Sequence, residues 1–317
     1  MINRVGIMGT GAVGGMLCSF LCKEYSENFY VIGNSQRTER IKKGLKVNNT
    51  IWHPRTINCE KCDENSSLDL VIICTKNYDL ESALNDLLSV VDTHTVILPL
   101  LNGVTATDRI KKIFPENKVL YGIVMRTDAA RSQYEVSFSV SGEIQLGYAR
   151  NEEYAREVMD VRDYLIQAGI PAKIYPDMLR MLWRKWMINI GSNQVSVITG
   201  AKFKYFGMFP EIEILLRASM GEILNIARAK KIHLTEEDLE DVVNILIHYP
   251  PEKKTSMLQD IEARRRTEID SFAGTVMEYG KKYNVKTPVN DVLYYGIKAK
   301  EKVYLMEKQE EAERERQ

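Results

Sequence analysis

The chain has 317 residues, 44% of them hydrophobic, enough for one large or two ordinary domains with real cores. Its 43 lysines and arginines balance 43 aspartates and glutamates, so nothing in the charge points to nucleic acid or an anionic membrane as partner. No run approaches the roughly 18 to 20 apolar residues of a membrane span, and MINRVGIMG lacks the layout of a signal peptide, so a soluble, cytoplasmic protein is expected.

In chain order, residues 3–8 are a short apolar run feeding GTGAVGG, followed by an apolar helix through Cys22. Phe29 to Ile32 is a second apolar run that ends in GNSQR, and DLVIIC (69–74) and TVILPL (95–100) are further buried-strand candidates. A helical segment around Leu80 to Val91 separates those two. Strand-like runs alternating with helical patterns predict βαβ units and a mostly parallel sheet, which Lys118 to Met125 continues. Val136 to Leu146 reads as two strands joined by a turn at Ser141-Gly142. Tyr154 to Ala168 is an amphipathic helix closed by Gly169, and Ile170 to Tyr175 is a last short strand.

After Pro176 only helical segments are expected, over 177–198, 210–231, 235–248, 258–283 and 289–308, with Thr235, Glu237 and Asp238 suiting a helix start. The fold class is therefore an α/β Rossmann-type domain over 1–175 and an all-α domain over 176–317, of which 306–317 is a charged tail. The helical half leaves a homodimer open. Of the five cysteines, Cys59 and Cys62 form one C-x-x-C, but no second pair follows, and His53, His94, His233 and His248 are scattered without metal-ligand spacing. No metal is expected; Cys18 and Cys22 are helix positions, and reduced, partly buried thiols are the simpler reading.

Gly9, Gly11 and Gly14 match G-x-G-x-x-G after a predicted strand and at the opening of a predicted helix, which points to a dinucleotide held by Gly9, Thr10, Gly11, Ala12, Val13 and Gly14. The strand that would carry an acid for the ribose 2′-hydroxyl ends in Gly33-Asn34-Ser35-Gln36-Arg37, with no acid until Glu39. Asn34, Ser35 and Arg37 suit a 2′-phosphate instead, which favours NADPH. Lys76 and Asn102 fall just past the carboxyl ends of two strands, the edge where ligands bind in open α/β sheets.

The stretch LWRKWMINIGSN (182–193) sets Lys185, Asn189 and Asn193 into an otherwise apolar helix. At about 100° per residue, successive i, i+4 positions drift by only about 40°, so the three share one stripe. Such a stripe is a solvated helix face or a site whose polar groups need partners.

The chain resembles the ketopantoate reductase (2-dehydropantoate 2-reductase) family over nearly its whole length. The likeness rests on GTGAVGG, TKNYDLESAL, the LNG of Leu101 to Gly103, LWRK with its two asparagines, and SMLQDIEARRRTEID (256–270). It implies an NADPH-binding Rossmann domain, a helical domain akin to that of 6-phosphogluconate dehydrogenases, an active site between them, and formation of pantoate on the route to pantothenate and coenzyme A. Carried over by position, Lys185 falls on the family's catalytic lysine and Glu268 on its glutamate partner, also a cofactor contact. Asn102 falls on the asparagine that meets cofactor and substrate carbonyl, and Lys76 on the cofactor-side lysine. Asn189 and Asn193 fall on substrate-binding asparagines, and Ser256 on the serine associated with the substrate carboxylate.

Two features depart from the family pattern. TGAKFKYFGMF (199–209) lacks the asparagine usual about ten residues past the second helix asparagine, and Arg37 is only loosely placed as the strand-end arginine. Ser256 has a second reading as a cap on a helix beginning near Leu258, and Glu268 as a partner of Arg264 or Arg265 on its own helix. Two alternatives to ketopantoate reduction therefore stay open: a reductase of another 2-oxo acid, and a non-catalytic NADPH-binding protein.

Overall fold

The computed structural model describes residues 2–61, 67–132 and 135–314. Its contacts divide the chain into two compact units, Met1–Leu182 and Trp183–Gln317. The first unit runs β1 (Val5–Met8), α1 (Ala12–Glu24), β2 (Phe29–Gly33), α2 (Ser35–Lys42), β3 (Leu45–Val47), β4 (Thr50–Trp52), β5 (Arg55–Asn58), β6 (Leu70–Ile73) and α3 (Leu80–Leu87). It continues with β7 (Val96–Pro99), α4 (Ala106–Ile113), β8 (Lys118–Val119), β9 (Tyr121–Met125), β10 (Ala130–Arg131), β11 (Val136–Ser137), β12 (Glu143–Gly147), α5 (Arg156–Gln167) and β13 (Ala172–Ile174). The helix α6 (Met178–Thr199) carries the chain across the division. The second unit holds α7 (Pro210–Ala229), α8 (Glu236–Ile247), α9 (Ser256–Glu262), α10 (Ala273–Tyr283) and α11 (Pro288–Arg314).

The main sheet is six-stranded in the order β5-β2-β1-β6-β7-β8, with every pairing parallel. Counted along the sheet's own strands this is the 3-2-1-4-5-6 order of a doubly wound nucleotide fold, with the order reversing between β1 and β6. Alternation along the strands feeds two cores. Val5, Ile7, Leu70 and Ile72 face one side with α1 and α5, while Met8, Ile32, Val71 and Ile73 face the other with α3.

Three expectations give way here. Lys118 to Met125 is not one strand: β8 stays on the main sheet, whereas β9 pairs antiparallel with β12 in a three-stranded sheet. Val136 to Leu146 is not a hairpin either, because β11 pairs with β10 and β3 while β12 pairs with β9 and β13. The physical cause is Asp128, whose Oδ1 accepts the N–H groups of Ser139 and Val140 at 2.9 and 2.8 Å, so a side chain takes the donors a ladder would use. The β3–β4 hairpin had no glycine to announce it; Asn48 and Asn49 adopt φ of 47° and 64° and make the two-residue turn themselves.

The third is the helix expected over 258–283. α9 stops at Glu262, and Arg264 takes φ 48° while Arg264 N–H donates to Ile261 O and Arg265 N–H to Asp260 O. That double closure is the usual left-handed helix stop, made here without glycine. Cys62 of the C-x-x-C and residues 315–317 of the tail lie outside the described residues.

The second unit packs around two indoles. Trp183 and Trp186 meet edge to face at 5.2 Å, Tyr279 stacks on Trp183, and Trp186 Nε1 donates to Ser271 O at 3.2 Å. Thr235 and Asp238 form a reciprocal cap at the start of α8, as the acidic residues there suggest. Trp186→Ala is expected to destabilise this unit by about 3–5 kcal/mol through cavity formation, with the indole hydrogen bond lost as well. Urea unfolding followed by circular dichroism checks the magnitude.

Candidate active site

The loop after β1 is shaped by contacts that exclude side chains. A Cβ on Gly14 would sit 1.9 Å from Gly9 O, and Gly9, at φ 98°, lies against the backbone of Cys74 and Thr75. A Cβ on Gly11 would meet nothing within 4 Å, so this turn is open on one side. Gly11 begins α1 without a side-chain cap, which leaves the first amides of that helix, from Ala12, Val13 and Gly14, to a ligand. Thr10 is buried beside them. Unclaimed helix amides over an open glycine turn suit a pyrophosphate, so these residues fit a dinucleotide.

The turn that carries Lys76 follows β6, and the one that carries Asn102 follows β7. They are tied together, since Asn77 Nδ2 donates to Asn102 O at 2.7 Å and Arg109 Nη2 to Asn77 O at 3.2 Å. Both residues are half-buried at the carboxyl edge of the sheet.

At the end of β2, Asn34 caps α2 by accepting the N–H of Arg37, and the Arg37 side chain lies over Gly33. Glu39, the first acid in sequence, pairs instead with Lys42 at 2.7 Å. Sequence reading missed Glu60. Its carboxylate accepts Ser35 N–H at 3.0 Å and the Ser35 hydroxyl, while Asn58 Nδ2 donates to Ser35 Oγ at 3.0 Å. The Ser35 hydroxyl and amide hold Glu60 below the usual carboxylate range. A search along β2 could not find this acid, because the parallel register of β5 beside β2 delivers it.

In the second unit the stripe on α6 is not a solvated face. Burial pushes Lys185 down to about 8, against a smaller upward pull from Glu268. Glu268 is buried and stands in the loop between α9 and α10, so it is not on a helix with Arg264 and Arg265; Arg264 pairs with Glu311 at 2.8 Å and Arg265 with Asp260 at 2.9 Å. Both ends of that loop are held to α11. Glu301 accepts Thr267 N–H and hydroxyl at 2.7 and 2.5 Å, and Asp270 takes Tyr294 and Lys298 at 3.0 Å each.

One turn along from Lys185, Asn189 Nδ2 is buried with no hydrogen-bond partner, an omission that costs about 1–3 kcal/mol unless a ligand supplies an acceptor. Asn193 is only 4% exposed, and its Oδ1 accepts Ser256 Oγ–H at 3.1 Å and Met257 N–H at 3.0 Å. The cap reading of Ser256 gives way here: Thr255 caps α9 through Leu258 N–H, and Ser256, an exposed residue, occupies the first helical position. Asn193 Nδ2 donates to Asn189 Oδ1 at 3.5 Å, which leaves its second N–H for a ligand, and Ser256 must release Asn193 before its proton can serve an anion. The structure brings Lys185, Glu268, Asn189, Asn193 and Ser256 together in the second unit and sets the cofactor candidates other than Glu268 at the carboxyl edge of the sheet in the first.

Residues 5–151 match the family described as "Ketopantoate reductase PanE/ApbA", and residues 177–301 match its C-terminal part, "Ketopantoate reductase PanE/ApbA C terminal". The 2-dehydropantoate 2-reductase of Lactococcus lactis is 29% identical, over 95% of this chain and 98% of that protein. A D-mandelate dehydrogenase solved with NADH and anilino(oxo)acetate is 26% identical with a TM-score of 0.83, covering 95% of this chain and 99% of the other. The PanE/ApbA family ketopantoate reductase of Ralstonia eutropha, 22% identical with a TM-score of 0.82 over 95% of this chain and 99% of its own, shares the fold.

Lys185 is expected to titrate near 8, and Glu268→Gln to lower it further by removing the upward pull. A lysine lowered on folding makes the unfolded chain bind more protons above pH 8, so its burial penalty is full below that and fades toward the ordinary 10.5. Lys185→Met should therefore be relatively most stabilised below pH 8. Denaturant melts across pH, with NMR of labelled lysine, read both effects.

Proposed function

The chain belongs to the ketopantoate reductase (PanE/ApbA) family, and from that premise we propose that it reduces 2-dehydropantoate to pantoate with NADPH. The observation that carries this reading is Lys185: an ammonium withdrawn from water beside Glu268, one turn from an amide with an unmet donor. NADPH, when bound, would supply the hydride that C2 of the 2-oxo acid takes up. Lys185 stabilises the charge that builds on the carbonyl oxygen and delivers its proton there, becoming neutral until solvent recharges it. A pKa near 8 suits this, since the proton is held at neutral pH and released without a large barrier. Glu268 keeps the ammonium charged and in place. Asn189 Nδ2 and Asn193 Nδ2 bind the substrate's distal hydroxyl and fix its orientation, and Ser256 takes the carboxylate. Gly9 to Gly14, Lys76 and Asn102 serve the cofactor, and Asn34 and Arg37 its adenosine end.

A second reading draws on Glu60. A carboxylate on Ser35 N–H and O–H suits a ribose 2′-hydroxyl and opposes a 2′-phosphate, and 199–209 lacks a third asparagine, so an NADH-dependent reductase of another 2-oxo acid is the competing assignment.

The deciding experiment follows oxidation of NADPH and of NADH with ketopantoate, its analogue lacking the distal hydroxyl, and aromatic and branched 2-oxo acids. Preference for NADPH and ketopantoate supports the first reading; a preferred NADH-driven reduction of another acid supports the second. Lys185→Ala is expected to lower turnover by about 10²–10⁴-fold with cofactor affinity retained. Near-wild-type turnover in that variant would sink both. Glu60→Gln should tighten NADPH relative to NADH, measured as the ratio of their Kd values.

A further inference from the structure

One charged group beside the glycine loop has no part in the reading above. Arg131 ends β10, in register with Val136 of β11, and Val136 packs on α1, where a Cβ on Gly15 would come within 2.7 Å of it. This stacking brings the guanidinium to the glycine loop, where Nη1 donates to the carbonyl of Thr10. A guanidinium has five N–H donors in a fixed fork, so the contact with Thr10 leaves most of them available.

Among the described residues no carboxylate pairs with Arg131. It is half-buried, and burial together with the neighbouring charge of Arg40 pulls its proton affinity down. Two guanidiniums brought together without an acid are unfavourable unless an anion sits with them. Arg40 is three residues beyond Arg37 on α2, so both use one face of that helix, and Arg37 already lies over Gly33 at the end of β2. Neither has an acid partner among the described residues. The amides at the start of α1 suit the pyrophosphate, whereas Arg131 approaches from the Thr10 side, and the parallel register that pairs Met8 with Ile32 sets that side next to the end of β2. The end of β2 is where the ribose 2′-substituent lies in this fold.

We propose that Arg131, aided by the charge of Arg40, holds the 2′-phosphate of NADPH and is a determinant of the preference for it over NADH. The assignment rests on the NADPH reading above. It gives the phosphate a bidentate partner from outside the β2–α2 turn.

The test is equilibrium binding of NADPH, NADH, adenosine 2′,5′-bisphosphate and AMP to wild type and to Arg131→Gln, which keeps an N–H toward Thr10 but loses the charge. Loss of a charge-assisted bidentate contact should weaken NADPH and the bisphosphate about tenfold or more, and NADH and AMP by no more than about twofold. The weakened NADPH binding should also lose salt dependence. Equal weakening of all four ligands would make Arg131 a mere prop for the loop and overturn the assignment, as would no change. Should Arg131→Gln fail to fold, the same four titrations on Arg40→Gln, at its exposed position, decide the matter by the same criteria. Wild type that binds neither dinucleotide would overturn the cofactor reading itself. Wild type that binds both, with the discrimination unmoved in the variants, overturns only this assignment.

Discussion

Helix α6 has to satisfy two demands at once: it anchors the second unit with indoles and holds an ammonium away from water. The 3.6-residue period makes both possible, because Trp183, Trp186 and Ile190 share one stripe while Lys185, Asn189 and Asn193 share the adjoining one. A desolvated lysine is unfavourable as a cation, so the surroundings must supply a carboxylate and exclude competing ones. Glu268 does this from a loop that cannot wander. Thr267 on one side is bound by Glu301 of α11, and Asp270 on the other by Tyr294 and Lys298. Arg264 and Arg265, which could have taken Glu268, are occupied by Glu311 and Asp260.

The polar stripe also explains why α9 starts where it does. Asn193 Oδ1 receives Ser256 Oγ–H and Met257 N–H, while Thr255 caps the turn and meets Ser196 through its hydroxyl. A residue assigned to substrate recognition thus also fixes the neighbouring helix. Asn189 differs: its buried Nδ2 has nothing to bond, a cost a folded protein retains where a ligand will repay it. The first unit follows a different logic. Its sheet reverses order between β1 and β6, so the turns after them diverge and leave the glycine loop accessible beside Lys76.

Features confined to a few neighbouring residues are legible in the sequence. The glycine fingerprint, the βαβ alternation, most of the helices after Pro176 and the i, i+4 stripe all rest on local periodicity, and the fold agrees with them. Where local pattern misleads, a distant residue or an unusual backbone conformation intervenes. Asp128 takes the amides that would have made a hairpin of Val136 to Leu146. The helix through 258–283 breaks at an arginine in the left-handed region, where a pattern search looks for glycine. Glu60 and Arg131 escape because Glu60 reaches Ser35 from the turn after β5 and Arg131 reaches Thr10 from β10.

The sequence by itself determined the two-part architecture, the turn that suits a dinucleotide and the polar stripe on α6, since these depend on backbone geometry and side-chain chemistry within short spans. It could not determine protonation or selectivity. Lys185 near 8 follows from how much water the packing removes and how near Glu268 is brought, and both are properties of tertiary enclosure. The choice between a 2′-hydroxyl and a 2′-phosphate likewise turns on which charges the sheet register and the β10–β11 pairing deliver to one end of β2. Electrostatic energy depends on distance in space, and only the fold sets that distance.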